Sequence, residues 1–435
     1  MRIRDRIRYN FGSNAFGFIV SGFGQLLLIP MFLRHWSPSL MGEWMVLWSV
    51  PAMIWAVEQM MTGASGNRMI RLHTLGEIAE ANTCFHHLLF LHGCLAVLLL
   101  SLALLCLSIF PVAAWLHLKE ISPATAQHIS ALIFAYMILV VFANIIRLPF
   151  SAVGKPWLGG FHWGFTQAAI LISQITLLSH PAFANPLFLA WGILATHALC
   201  LGILLWLFHC TCRPYTLAWQ KPSGVSLNTI LADNLPLTGF VFSQSVLAQV
   251  FMISIQLALG PYFVSAFSIL KTLSRTFYQG ANAVIMSTGP DLTSAVARGD
   301  VSTIQKIGRL QLVFILPAYT VFVCLALPFH DLFLNWWAHG KVSFSNQEIC
   351  IFLVGVFFLT LWSRQSQLLL AALHHRVFYG IALGLSLFYA GAVFTLRPFL
   401  SFDGFLAAAS LFEASLYFIS RVQARFVQRR FLGTL

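Results

Sequence analysis

Residues 88–110 read LLFLHGCLAVLLLSLALLCLSIF, twenty-three residues without an Asp, Glu, Lys or Arg. A bilayer core about 30 Å thick is crossed by roughly 20 apolar residues in a helix, so this stretch alone predicts a membrane span. It does not alternate in polarity and is about twice the ~10-residue segment of a membrane β-barrel, which makes it helix rather than strand. The same reading applied along the chain gives twelve windows, near 11–33, 40–62, 85–110, 127–150, 157–179, 186–209, 233–257, 262–288, 310–334, 348–373, 377–396 and 403–421. The predicted fold class is an all-α integral membrane protein with about twelve transmembrane helices.

Composition agrees. A chain of 435 residues could hold two or three soluble domains, but 59% of this one is apolar and 9% charged, against about 25% charged in soluble proteins. Mean hydropathy is +0.81, which excludes disorder, collagen and a small disulfide scaffold. The 25 Lys and Arg exceed the 13 Asp and Glu, and their placement explains the excess. With connections assigned alternately to two sides, eighteen basic residues fall on one side, and only Arg34, Lys119, Lys341 and Arg397 on the other. The positive-inside rule then places both termini in the cytoplasm of a multi-pass protein, and no nucleic-acid partner is needed. Ile3, Ile7 and Phe11, interleaved with four Arg, predict an amphipathic lead-in on an anionic leaflet rather than a cleavable signal. Eight scattered Cys and fifteen His show no metal-ligand spacing, so neither metal nor cofactor is expected.

The chain also repeats. Residues 36–48 read WSPSLMGEWMVLW and 64–82 read ASGNRMIRLHTLGEIAEAN. Their counterparts are LGPYFVSAFSILK at 259–271 and STGPDLTSAVARGDVSTIQ at 287–305. Pro38 and Pro261, Leu47 and Leu270, Gly66 and Gly289, and Gly76 and Gly299 all share one offset of 223, as do Glu77/Asp300 and Ile78/Val301. Six spans separate the copies, so both halves enter the membrane the same way round. The expected organisation is two six-helix lobes related by a pseudo-twofold axis along the membrane normal, at 1–212 and 231–435, with a cytoplasmic linker at 213–230. Transporters built this way pass substrate between lobes by alternating access.

A short turn of the form (L)GP-x-x-x-G-x-W/F after the first span, and a G/R…A-x-G-D linker after the second, recur in the second half. In these motifs, at about 34–82 and 258–309, the chain resembles the polysaccharide flippase (Wzx-type) branch of the MOP, or MATE-like, superfamily. That resemblance implies a V-shaped fold with a central cavity and export of undecaprenyl-pyrophosphate-linked oligosaccharide repeat units across the cytoplasmic (inner) membrane. The product would be O-antigen (lipopolysaccharide), exopolysaccharide or capsule, made by a monomer working beside a polysaccharide polymerase and chain-length machinery. The family's acidic-Leu-Gly step reads Glu58-Gln59-Met60 here, with the acid present and the glycine absent.

Ionisable groups inside spans cost about 2.5–3.5 kcal/mol on insertion scales, so each is a site candidate. Lys271 and Arg275 lie four apart on one helical face of the eighth span, and Arg364 lies in the tenth. They are the candidate anionic-headgroup residues, with Arg suited to bidentate phosphate contact and Lys to a point charge. Glu58, Glu413 and Asp233 are candidates for ion coupling or for pairing with those cations. Trp44 and Trp48, four apart, are candidates for stacking on sugar rings, with anchoring at headgroup depth as the plainer role. Two rivals stand beside a flippase: an ion-coupled multidrug or organic-cation exporter, and a membrane-embedded glycan polymerase or ligase. The intramembrane cations oppose the first. Against the second stand an outer loop near 331–347 too small to build a catalytic site and the absence of a nucleotide or nucleophile motif. A carrier, not an enzyme, is the expectation.

Overall fold

Proline and a capping side chain together start three of the described helices. Ser37 precedes helix α2 (Pro38–Leu47) and its Oγ accepts the Leu40 N–H at 2.9 Å. Ser122 does the same for α5 (Pro123–Ala152), and Asn185 accepts two N–H groups of α7 (Pro186–Thr211). Proline at the first helical position has its φ preset and no N–H to leave unsatisfied. The computed structural model describes residues 3–49, 69–70, 72–73, 75–109, 111–219, 224–288, 292, 295–296, 299–372 and 375–432. Among these there is no strand.

The chain divides into two compact units, Met1–Ser245 and Val246–Leu435. The first also holds α1 (Ile3–His35), α3 (Ile78–Ile109), the one-turn α4 (Val112–Trp115) and α6 (Pro156–Ser179). Helix α8 (Gly224–Leu259) runs across the division. The second unit continues with α9 (Pro261–Ser287), α10 (Val301–Trp337), α11 (Asn346–Ala371), α12 (His375–Leu396) and α13 (Phe402–Leu432). Seven described helices are long and apolar enough to cross a membrane. Their outward faces carry large apolar side chains such as Leu98, Leu199, Val313 and Phe388, each more than 60% exposed. A water-soluble monomer does not tolerate such a surface. This is an all-α membrane protein.

Inside the first unit, α1 and α6 approach closely because small residues face large ones: an added Cβ at Gly17 would meet the Trp163 ring, and at Gly164 the Phe16 ring. Phe85, Ile145, Phe150, Leu204 and Phe208 fill a core between α3, α5 and α7. The extended segment 213–219 is strapped onto α3. Thr216 donates its N–H to Asn82 and accepts from His86, Tyr215 hydrogen-bonds His73, and Trp219 lies over Gly93. Burial pushes the Tyr215 hydroxyl up to about 12, so it stays protonated at neutral pH.

Several helices overrun their apolar windows. Helix α3 starts at Ile78 rather than near 85, α10 at Val301 rather than near 310, and α13 continues to Leu432 rather than ending near 421. Because α10 runs on to Trp337, its connection to α11 is shorter than the expected 331–347 loop. For α10 the reason is a polar cap: Asp300 accepts the Thr303 N–H at 3.0 Å and starts the helix in a polar stretch that hydropathy does not reach.

The repeat is visible in backbone hydrogen bonds. Gly76 N–H donates to His73 O, Glu77 N–H to Leu72 O and Ile78 N–H to Gly76 O. In the second unit Gly299 donates to Val296, Asp300 to Ala295 and Val301 to Gly299, each at the same offset of 223. Both glycines sit at positive φ, +86° and +67°. An L-residue there costs roughly 1–2 kcal/mol. Gly76→Ala and Gly299→Ala are each expected to lower thermal stability in detergent by that amount, about equally. Unchanged melting of both variants would show that neither turn constrains its unit.

Candidate functional site

Helix α9 begins at Pro261, directly after Gly260 at φ +92°, and presents Lys271 and Arg275 one turn apart. Both are exposed on the second unit. No carboxylate of a described residue lies within ion-pair distance of either. Lys271 borders a small cavity of about 110 Å³ shared with Ser274 of its own helix, Gly355 of α11, and Ser410 and Glu413 of α13. Close approach of α11 to α13 shapes this cavity, since a Cβ on Gly355 would lie 2.7 Å from Ser410 Oγ. Glu413 is held from the α11 side, where Trp362 Nε1 donates to its Oε2 at 2.6 Å. One cavity therefore joins a cation and a carboxylate that are not in direct contact, and Arg275 lies one turn beyond.

Arg364 is elsewhere. Its Nη1 donates to Gly308 O of α10 at 3.0 Å, while its Nε is enclosed without a hydrogen-bond partner. It lines a separate cavity of about 520 Å³ between α10, α11 and α13, together with Arg309, Arg421 and Arg425. Among the described residues, no Asp or Glu borders that cavity. Arg421 spends one N–H on the Tyr417 hydroxyl at 2.8 Å and lies 5.8 Å from the centre of that ring. Gln365, also on the wall, accepts from Ser420 at 2.6 Å. The three intramembrane cations grouped in the sequence thus divide into Lys271 with Arg275 and Arg364 with three other arginines. Of the latter four only Arg421 and Arg425, one turn apart on α13, are joined by spacing; Arg309 and Arg364 reach them through helix packing.

Of the remaining candidates, Glu58 lies outside the described residues. Asp233 falls within α8, and its side chain is not among those described. Trp44 is 2% exposed and packs edge-on against Trp36 at 5.9 Å and Trp48 at 5.8 Å. Trp44 is thus enclosed by neighbouring rings in this structure, while Trp48 keeps part of its surface open. Trp48 is half-buried and meets Tyr136 edge-on at 5.5 Å. Sequence reading passed over Glu43, which sits fully buried inside the quoted turn motif. Its carboxylate accepts the N–H groups of Lys119, Glu120 and Ile121, fixing the loop before α5.

No family model and no curated protein sequence matches the chain. Solved structures do. An inward-facing multidrug resistance MATE family transporter of the MOP superfamily superposes with a TM-score of 0.74, at 13% identity over 95% of each chain. A Vibrio cholerae MATE transporter gives 0.68 at 14% identity over 99% of both. A MOP superfamily transporter from Pyrococcus furiosus, described by the reverse polarity of its binding pocket, gives 0.64 at 14% over 99% of this chain and 96% of its own. The fold is that of MATE transporters. At such identity the likeness concerns fold alone, and the residues above must speak for function.

Proposed function

We propose that the protein is a carrier that moves an anionic, lipid-linked oligosaccharide across the cytoplasmic membrane by alternating access, in the assembly of a surface polysaccharide. The observation that carries this reading is the exposed Lys271/Arg275 pair on one face of α9, with no carboxylate of a described residue in ion-pair distance. Two uncompensated cations in a span are costly unless an anion neutralises them. A pyrophosphate diester, as in an undecaprenyl-linked repeat unit, supplies about two negative charges and matches Arg and Lys donors. The fold supports the same reading, since its solved neighbours are transporters. An exporter of organic cations would call for acidic and aromatic groups without competing cations, and α9 presents the reverse. In this reading both termini are cytoplasmic, where the excess of Lys and Arg lies. Glu413, in the cavity beside Lys271, is the proposed ion-coupling group.

Deletion of the gene in its host tests this. Lipid-linked single repeat units would be located by their accessibility to an external probe. Units trapped on the inner face, with loss of surface polysaccharide, are the expected result. Units reaching the outer face unpolymerised would instead assign a polymerase or ligase role. Unchanged polysaccharide with altered drug sensitivity would assign a multidrug exporter.

A further inference from the structure

The arginine-lined cavity of the second unit lies apart from the α9 cations. Four guanidinium groups from three helices converge on about 520 Å³, and no carboxylate of a described residue lines the wall. That volume falls within the roughly 300–1,000 Å³ of small-molecule sites. Arg364 and Arg421 each commit one nitrogen to a protein acceptor, and the Arg364 Nε has none. Like charges gathered in a partly enclosed space repel, and an anion relieves that repulsion. Planar guanidinium groups bind phosphate oxygens bidentately.

The rest of the wall narrows the ligand. Ile304, Leu312 and Leu368 supply apolar surface to the same cavity. Helix α10, at 37 residues, is roughly 55 Å long against a hydrocarbon core of about 30 Å. Arg309 lies about 12 Å along it from Val301, so a core of about 30 Å centred on the helix would begin close to it. On the outside of α10, Leu310, Val313 and Phe314 are exposed apolar residues suited to lipid tails. A free nucleotide would leave the apolar wall unused, whereas a phosphate-bearing amphiphile uses both. Basic pockets between membrane helices at this depth take anionic headgroups.

We infer that the cavity bounded by Arg309, Arg364, Arg421 and Arg425 binds the phosphodiester or diphosphate headgroup of an anionic lipid, as a site distinct from the Lys271/Arg275 face. The inference holds whether or not the α9 cations carry cargo. Its ligand comes from one of two sources, a bilayer phospholipid or a polyprenyl diphosphate.

The purified full-length protein would be examined by native mass spectrometry and by salt-dependent titration with cardiolipin, farnesyl diphosphate and, as a zwitterionic control, phosphatidylcholine. Selective retention of cardiolipin assigns the site to bilayer lipid, and selective retention of farnesyl diphosphate assigns it to polyprenyl diphosphates; either supports the inference. The double variant Arg364→Gln/Arg421→Gln should bind at least about tenfold more weakly, the loss expected of charge-assisted contacts. Leu312→Trp, which fills the cavity without removing charge, should also weaken binding, and Arg397→Gln, outside the cavity, should not. Equal binding of all three lipids, or wild-type affinity in both the double variant and Leu312→Trp, would overturn the inference.

Discussion

Replacing Lys271 and Arg275 together by alanine is expected to reduce transport of lipid-linked repeat units by about 100-fold or more, through the loss of two charge-assisted contacts worth roughly 1.5–3 kcal/mol each. Both side chains are exposed and neither is in ion-pair contact with a described carboxylate, so no internal partner is stranded by their removal. Stability should not fall, because the change strands no described partner and takes two like charges out of a span. Membrane insertion should if anything improve, because two charges leave a span. Arg275→Lys should give an intermediate rate, since it keeps charge but loses bidentate geometry. Transport would be read by external labelling of lipid-linked units, and protein level by immunoblot of isolated membranes. Wild-type transport by the double variant would sink the anion reading.

Glu43→Ala should destabilise the protein by about 3–5 kcal/mol, the cost of breaking a buried charged contact from one side. Three consecutive backbone N–H groups, at Lys119, Glu120 and Ile121, converge on its carboxylate. Each orphaned donor that water cannot reach contributes about 1–3 kcal/mol. Glu43→Gln retains one oxygen acceptor at nearly the same volume and should lose less than half as much. Thermal unfolding in detergent, followed by monodispersity on gel filtration, is the measurement. Wild-type melting of Glu43→Ala would mean that water reaches the 119–121 loop.

The helical, membrane-spanning class and the matched turns were legible in the sequence because they depend on local signals: apolar run length, proline, and glycine beside an acid. Helix ends were less so. The first turns after Asp300 are rich in polar residues yet helical, because a side-chain cap rather than hydropathy starts the helix. The arginine cavity was illegible for another reason. Arg309, Arg421 and Arg425 read as topology signals, and only the packing of α10, α11 and α13 brings them to Arg364. Arg364 in turn looked like a companion of Lys271, because linear position in a span says nothing about which side of a helix faces which neighbour. Glu43 gave no signal either, since its partners are backbone groups more than seventy residues away, which no side-chain motif records.

The paired turns at Gly76 and Gly299 bear on what such a turn requires of the chain. Two segments now sharing few residues still make the same three hydrogen bonds around a left-handed glycine. Side chains around the two turns differ almost throughout, so those hydrogen bonds do not depend on them. What the two turns share is backbone geometry, a glycine whose missing Cβ lets the chain enter a helix from the left-handed region.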